Sequence, residues 1–135
     1  MNSSTRKCVG VATKCRALDQ LPPADQPKCA SWVHPDKPGW YLVHRNDLLV
    51  FEPEYAPTSP ETFDEDASIL FERDSYFPGF VSFGFVSKPG HVAHAAADGF
   101  VRLAPIDDTL DFKNAASSFV VKYKKKGESE RNLSY

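Results

Sequence analysis

The chain has 135 residues, enough for one domain with a single core but too few for a catalytic barrel carrying an accessory module. Its formal net charge of −2 argues against nucleic acid as a partner, because phosphate binding is driven by clustered Lys and Arg. No apolar run approaches the roughly 20 residues that span a bilayer, so no membrane partner is expected.

Residues 1–29 are rich in Pro, Asp, Gln and Cys and show no sustained periodicity, which reads as an irregular leader. Residues 1–18 contain no apolar h-region, so no signal peptide is visible. Cys8, Cys15 and Cys29 are the three cysteines, and the odd count leaves two arrangements open: one local disulfide plus a free thiol, or three reduced thiols. The disulfide is preferred, because a short stapled loop beside Pro22-Pro23 suits a secreted chain.

From Ser31 the pattern changes to short apolar runs separated by turn residues. Ser31-Trp32-Val33 is the first predicted strand, and Asp36-Lys37-Pro38-Gly39 supplies turn chemistry. Trp40-Tyr41-Leu42-Val43 and Leu48-Leu49-Val50-Phe51 follow as strands joined at Asn46-Asp47. A proline-broken loop over 53–60 leads to a fourth strand over 67–71, with 62–67 acidic enough for one helical turn. The order then recurs: a strand over 80–86, a turn at Ser87-Lys88-Pro89-Gly90, a strand at His91-Val92-Ala93-His94, and the tight-turn pair Asp98-Gly99. Phe100-Val101-Arg102-Leu103, a loop through Asp107-Asp108 and a strand over 117–121 complete the second series. Residues 124–135 form a polar tail, and the basic run over 122–126 that leads into it reads as a solvated terminus.

The two Lys-Pro-Gly triplets lie 51 residues apart, and the segments Phe63-Asp64-Glu65-Asp66-Ala67-Ser68 and Phe112-Lys113-Asn114-Ala115-Ala116-Ser117 lie 49 apart. A repeat of this length means one supersecondary unit has been copied and must pack on its copies. The class is therefore all-β, with repeats over 30–74 and 75–123 of four short strands each, and Trp32 and Phe83 as matched core residues. Three such units make a β-trefoil. With two, the expectation is a partial trefoil with open strand edges, so that the leader and tail cover them, a partner supplies the third unit, or the chain is a fragment; edges left uncovered would drive self-association.

The twofold succession of aromatic-Val, Pro-Gly, a histidine a few residues on, an apolar strand and Phe-x-x-x-Ala-Ser resembles the arabinofuranose-binding β-trefoil (AbfB) module of B-type α-L-arabinofuranosidases, over two of its three repeats. The resemblance implies a non-catalytic, lectin-like module, extracellular, that takes no cofactor or metal. It also implies one shallow pocket per repeat, in which a His and an Asp hydrogen-bond an arabinofuranose side chain of arabinan, arabinoxylan or a similar glycan. Carried onto this chain, the ligand-binding residues are His44, Asp66 and Tyr41 in the first repeat and His94 in the second. The second repeat departs from the pattern, because Ala115 stands opposite Asp66 and the neighbouring Asn114 replaces it only if the loop shifts by one. One competent pocket and one impaired pocket are expected. The chemistry suits a furanose: a carboxylate accepts hydroxyl hydrogen bonds, an imidazole donates or accepts one, and a ring packs the C–H face.

Other chemistry finds little support. Glycoside hydrolysis needs two carboxylates flanking a cleft at a set separation. The acidic residues Glu52, Glu54, Glu61, Asp64, Glu65 and Asp66 crowd one loop region without the regular spacing of a calcium loop. His34, His44, His91 and His94 form no metal-binding pair with a general base, and no catalytic residues are assigned. The alternative is a protein-interaction module that keeps the scaffold but has let its sugar pockets decay.

Overall fold

The computed structural model describes residues 8–54, 61–95, 100–117, 119–123 and 131–134. Ten strands lie in these residues: β1 (Cys8–Thr13), β2 (Cys29–His34), β3 (Lys37–Arg45), β4 (Leu48–Pro53), β5 (Ile69–Arg73), β6 (Val81–Phe85), β7 (His91–Ala95), β8 (Val101–Pro105), β9 (Val120–Tyr123) and β10 (Arg131–Ser134). Two short helices, α1 (Phe63–Asp66) and α2 (Leu110–Ala116), precede β5 and β9. All strand pairs are antiparallel. The sheet runs β7-β8-β4-β3-β2-β1-β10-β9, with β5 joined to β2 and β6 off this path, giving a strongly curled half-barrel.

Each repeat follows the predicted order, and matched residues adopt matched geometry. Gly39 and Gly90 both take the left-handed conformation, at φ 81° and 79°, which a side chain at either position would strain. Each carbonyl then accepts from the residue just past its hairpin, Gly39 from the Glu54 amide at 2.9 Å and Gly90 from the Ile106 amide at 3.0 Å. Phe63 and Phe112 are buried, as are Ala67 with Ala116 and Ser68 with Ser117. Asn46 and Asp47 turn the first hairpin with positive φ, as a two-residue turn requires. The Asp98-Gly99 turn and most of the 122–126 basic run fall outside the described residues.

Alternation sends one face of each strand inward. Trp32, Leu42, Ile69, Phe83, Phe85, Leu103 and Phe119 form the main core. Trp32 and Phe83 are 0 % and 1 % exposed, and Phe83 packs edge-on against Phe119 with ring centres 4.9 Å apart. A smaller cluster of Val43, Phe63 and Ala67 sits on the other face of the first hairpin.

Two features differ from the sequence reading. The loop expected after Asp107-Asp108 contains α2, whose N-cap Thr109 accepts from the Phe112 amide at 3.2 Å, with Asp111 in the first turn where the helix dipole favours an acid. The leader and tail are also not irregular throughout. β1 pairs with β2 on one side and with β10 on the other, and β10 pairs with β9. Strand edges that two repeats leave open are thereby paired by the chain's own flanking segments. The leader is fastened further by the Cys15–Cys29 disulfide, and by the Arg16 and Ala17 amides, which donate to the buried hydroxyls of Ser31 (3.1 Å) and Ser68 (2.8 Å). The Cys8 side chain lies outside those described.

Candidate functional site

His44 and Asp66 are 22 residues apart in sequence and meet at the tip of the first hairpin. The tight Asn46-Asp47 turn sets the end of β3, which aims His44 toward the second repeat. Its ring tilts over Phe85 at 4.9 Å, and Nε2 lies 2.6 Å from Ser87 Oγ, a hydrogen bond whose donor is set by the tautomer. Asp66 closes α1, and its Oδ1 lies 3.6 Å from His44 Nε2. Both side chains are largely enclosed, at 12 % and 7 % exposed.

The carboxylate is already in use. Asp66 Oδ2 accepts from the Arg45 guanidinium at 2.8 Å and from the Thr62 hydroxyl at 3.0 Å. The other edge of Arg45 forms a two-pronged pair with Glu52, both contacts at 2.8 Å, the planar geometry that suits guanidinium and carboxylate. Oδ1, facing His44, accepts no hydrogen bond among the described residues. Beyond this group, Lys88 pairs with Asp47 at 2.9 Å and holds that carboxyl below its usual range.

Burial pushes the His44 pKa below 6.5; the Asp66 and Asp47 charges pull it up, while Arg45 and Lys88 push it further down. A base whose folded pKa is depressed binds fewer protons folded than unfolded, so its contribution is intact above the unfolded pKa and shrinks as pH falls through the folded one. Denaturant midpoints measured between about pH 7.5 and about pH 5 should fall, and His44→Gln should flatten that slope. An identical slope in the variant would assign the acid sensitivity to other groups.

Tyr41 does not join the pair. It stands three residues from His44, an odd spacing that sends the two side chains to opposite faces of β3. The register puts Tyr41 beside Glu52 and His44 beside Leu49. Tyr41 meets Phe63 edge-on at 6.1 Å, and the leader's Arg16 guanidinium lies over its ring at 4.6 Å. Arg16 also binds Asp64 at 2.8 Å and Glu54 at 3.3 Å.

The second repeat assembles no equivalent pair. Its hairpin pairs His91 with Pro105 and His94 with Arg102, as the first pairs Trp40 with Pro53 and Val43 with Val50. His94 is therefore level with Val43, and Ala95 stands level with His44. The His94 ring lies 6.1 Å from Phe112, matching the packing of Val43 beside Phe63. One residue fewer between Gly90 and His94 than between Gly39 and His44 produces this shift. Ala115, in α2, supplies no carboxylate where Asp66 stands in α1.

Arg45, Glu52, Thr62, Ser87 and Arg16 were not assigned to this site from the sequence, although Arg45 directly follows His44, Glu52 was weighed there only as one of an acidic group, and Arg16 directly follows a cysteine. Among the described residues, no three His, Cys, Asp or Glu side chains group as metal ligands, and no helix is long and apolar enough to cross a membrane.

No family model and no curated protein matches the chain. Solved structures do. A mutant of a GH54 α-L-arabinofuranosidase soaked with 4-nitrophenyl α-L-arabinofuranoside aligns with TM-score 0.58 and 21 % identity over 70 % of this chain. A GH54 α-L-arabinofuranosidase soaked with a cyclic sulfate inhibitor aligns with TM-score 0.54 and 22 % identity over 64 %. The chain has the fold of part of that enzyme. It spans 19 % and 18 % of the two matched chains, so the likeness concerns one small portion of a much larger protein.

Proposed function

We propose that the chain is a non-catalytic, extracellular carbohydrate-binding module of the AbfB type, which recognises arabinofuranose-type side chains of arabinan, arabinoxylan or similar glycans through its first repeat. The observation that carries this reading is the convergence of His44 and Asp66 at one hairpin tip, in a two-repeat sheet that aligns with part of an arabinofuranosidase. Asp66 Oδ1 accepts a sugar hydroxyl, and the imidazole, released from Ser87, donates or accepts a second. The disulfide agrees with an oxidising, extracellular setting. A single neutral-sugar site of this size binds weakly, and useful retention comes from presenting several modules at once.

Affinity electrophoresis in gels containing arabinan or arabinoxylan tests this directly. Asp66→Asn keeps an oxygen for Arg45 and Thr62 but turns an amide toward the sugar. Losing a charged hydrogen bond worth about 1.5–3 kcal/mol should weaken retention at least tenfold. His94→Ala should change little, since His94 stands level with Val43 and has no carboxylate partner. Unchanged retention with folded Asp66→Asn would remove this pair from the site.

A second reading, a protein-interaction module with decayed sugar pockets, draws on one observation. Asp66 Oδ2 and His44 Nε2 already have partners inside the protein. Lack of retention on every glycan would favour it.

A further inference from the structure

The leader and the first repeat enclose a recess that the repeats alone would not form. It is lined by Thr13, Lys14, Cys15, Arg16, Tyr41 and Asp64, and its volume is about 280 Å³. That is near the lower end of ligand pockets (roughly 300–1,000 Å³) and gives room for one sugar ring. The walls are fixed in place. Cys15 is tied to Cys29, and Arg16 is held by its stack on Tyr41 and its ion pairs to Asp64 and Glu54.

Two cations, Lys14 and Arg16, meet two carboxylates, Asp64 and Glu54, around the recess, but they are not evenly paired. Both carboxylates lie against Arg16, whereas Lys14 is exposed and makes no ion pair among the described residues. The polar groups that remain are the Lys14 ammonium, the exposed Thr13 hydroxyl and the second oxygen of Asp64. They surround the flank of a half-buried tyrosine. The second repeat has no counterpart, because Val92 is level with Tyr41 and Lys113 stands where Asp64 does.

We propose that this recess is a second recognition site, for a carboxylate-bearing sugar, separate from the neutral furanose site at His44 and Asp66. The uronate carboxylate meets Lys14, ring hydroxyls donate to Asp64 and accept from Thr13, and the C–H edge of the ring packs on Tyr41. The inference rests on the glycan-binding reading and narrows it to glycans that carry acidic as well as neutral side groups.

The test compares an arabinoxylan bearing glucuronate side groups with the same polymer after its carboxyl groups are reduced to alcohols. The intact protein should be retained about threefold more strongly by the acidic form, the size of an exposed ion pair, and the preference should vanish in high salt. Lys14→Met, at an exposed position that leaves the fold intact, should bring the ratio of the two retentions to one. Equal retention of both polymers by the unaltered protein, or an unchanged ratio in Lys14→Met, overturns the second site and leaves the glycan reading standing. Retention on neither polymer, nor on arabinan, overturns both. Inhibition by free glucuronate alone, with no polymer preference, would reduce the recess to a general carboxylate site and also overturn the proposal.

Discussion

Deleting residues 1–13 is expected to abolish the cooperative fold and drive the chain into large, polydisperse species. β1 is held on both sides, by β2 through Val11, Ala12 and Thr13 and by β10 through Cys8, Gly10 and Val11. Removing it bares the edge of β2, strips β10 of one neighbour and leaves the outer flank of Trp32 without cover. An unpaired edge beside an apolar core is a template for association. A small domain has a total stability of only about 5–15 kcal/mol, and losing a central strand with its two ladders consumes a comparable amount. The deletion retains Cys15 and Cys29, so any change is separable from loss of the disulfide. Gel filtration and thermal unfolding by circular dichroism decide the matter. A truncated chain that elutes and melts like the full one would show that the two repeats close on themselves.

This role for the flanks was the least legible part of the chain. The repeated segments declare themselves through period-2 alternation and matched turns: Trp32 with Phe83, Gly39 with Gly90, Phe63 with Phe112. Each of these pairs takes equivalent positions. β1 and β10 carry little of that signal. Residues 8–13 are Cys-Val-Gly-Val-Ala-Thr, apolar but short and split by a glycine, and residues 131–134 are Arg-Asn-Leu-Ser, mostly polar. They are strands because the sheet offers them partners, a tertiary cause that local composition does not record. α2 was missed for a different reason, since its cap and acidic first turn are readable but its apolar spacing spans barely two turns.

The candidate site divides in the same way. His44 and Asp66 were found through the resemblance to the AbfB module, which implies a His and an Asp in each repeat, and they do meet. Tyr41 was assigned with them because the resemblance implies an aromatic ring at that position, and strand alternation sends it to the other face. His94 was matched to His44 by residue type, whereas backbone pairing counts residues from the turn, and a one-residue difference moves it level with Val43. Arg45 and Arg16 escaped notice because an arginine's reach joins segments far apart in sequence: Arg45 to Asp66 spans 21 positions and Arg16 to Asp64 spans 48.

Breaking the Cys15–Cys29 bond should cost about 3 kcal/mol, the loop-closure entropy of a cross-link of this length. The two cysteines are 14 residues apart with Cα atoms 5.5 Å from each other, and both are buried, so Cys15→Ala with Cys29→Ala leaves small apolar groups and no orphaned polar atom. The cross-link acts where the leader has little else of its own to pack. Between β1 and β2 it contains only two short 3-10 turns, Leu18–Gln20 and Gln26–Lys28, neither with a buried residue. Without the bond, the segment after β1 is held by the Arg16 and Ala17 amides on Ser31 and Ser68 and by the buried Ala17. The Arg16 side chain also holds it, through its stack on Tyr41 and its pairs with Asp64 and Glu54, the last being partly exposed and so worth less than a buried cluster. Equilibrium denaturation of the double variant beside the parent protein measures the difference. The expected result is a lower midpoint at a similar slope, together with a weaker preference for acidic glycan because the recess beside Lys14 loses its rigid wall. A loss below about 0.5 kcal/mol, a normal surface-substitution effect, would mean that strand pairing and the Arg16 and Ala17 contacts keep the leader in place without the cross-link.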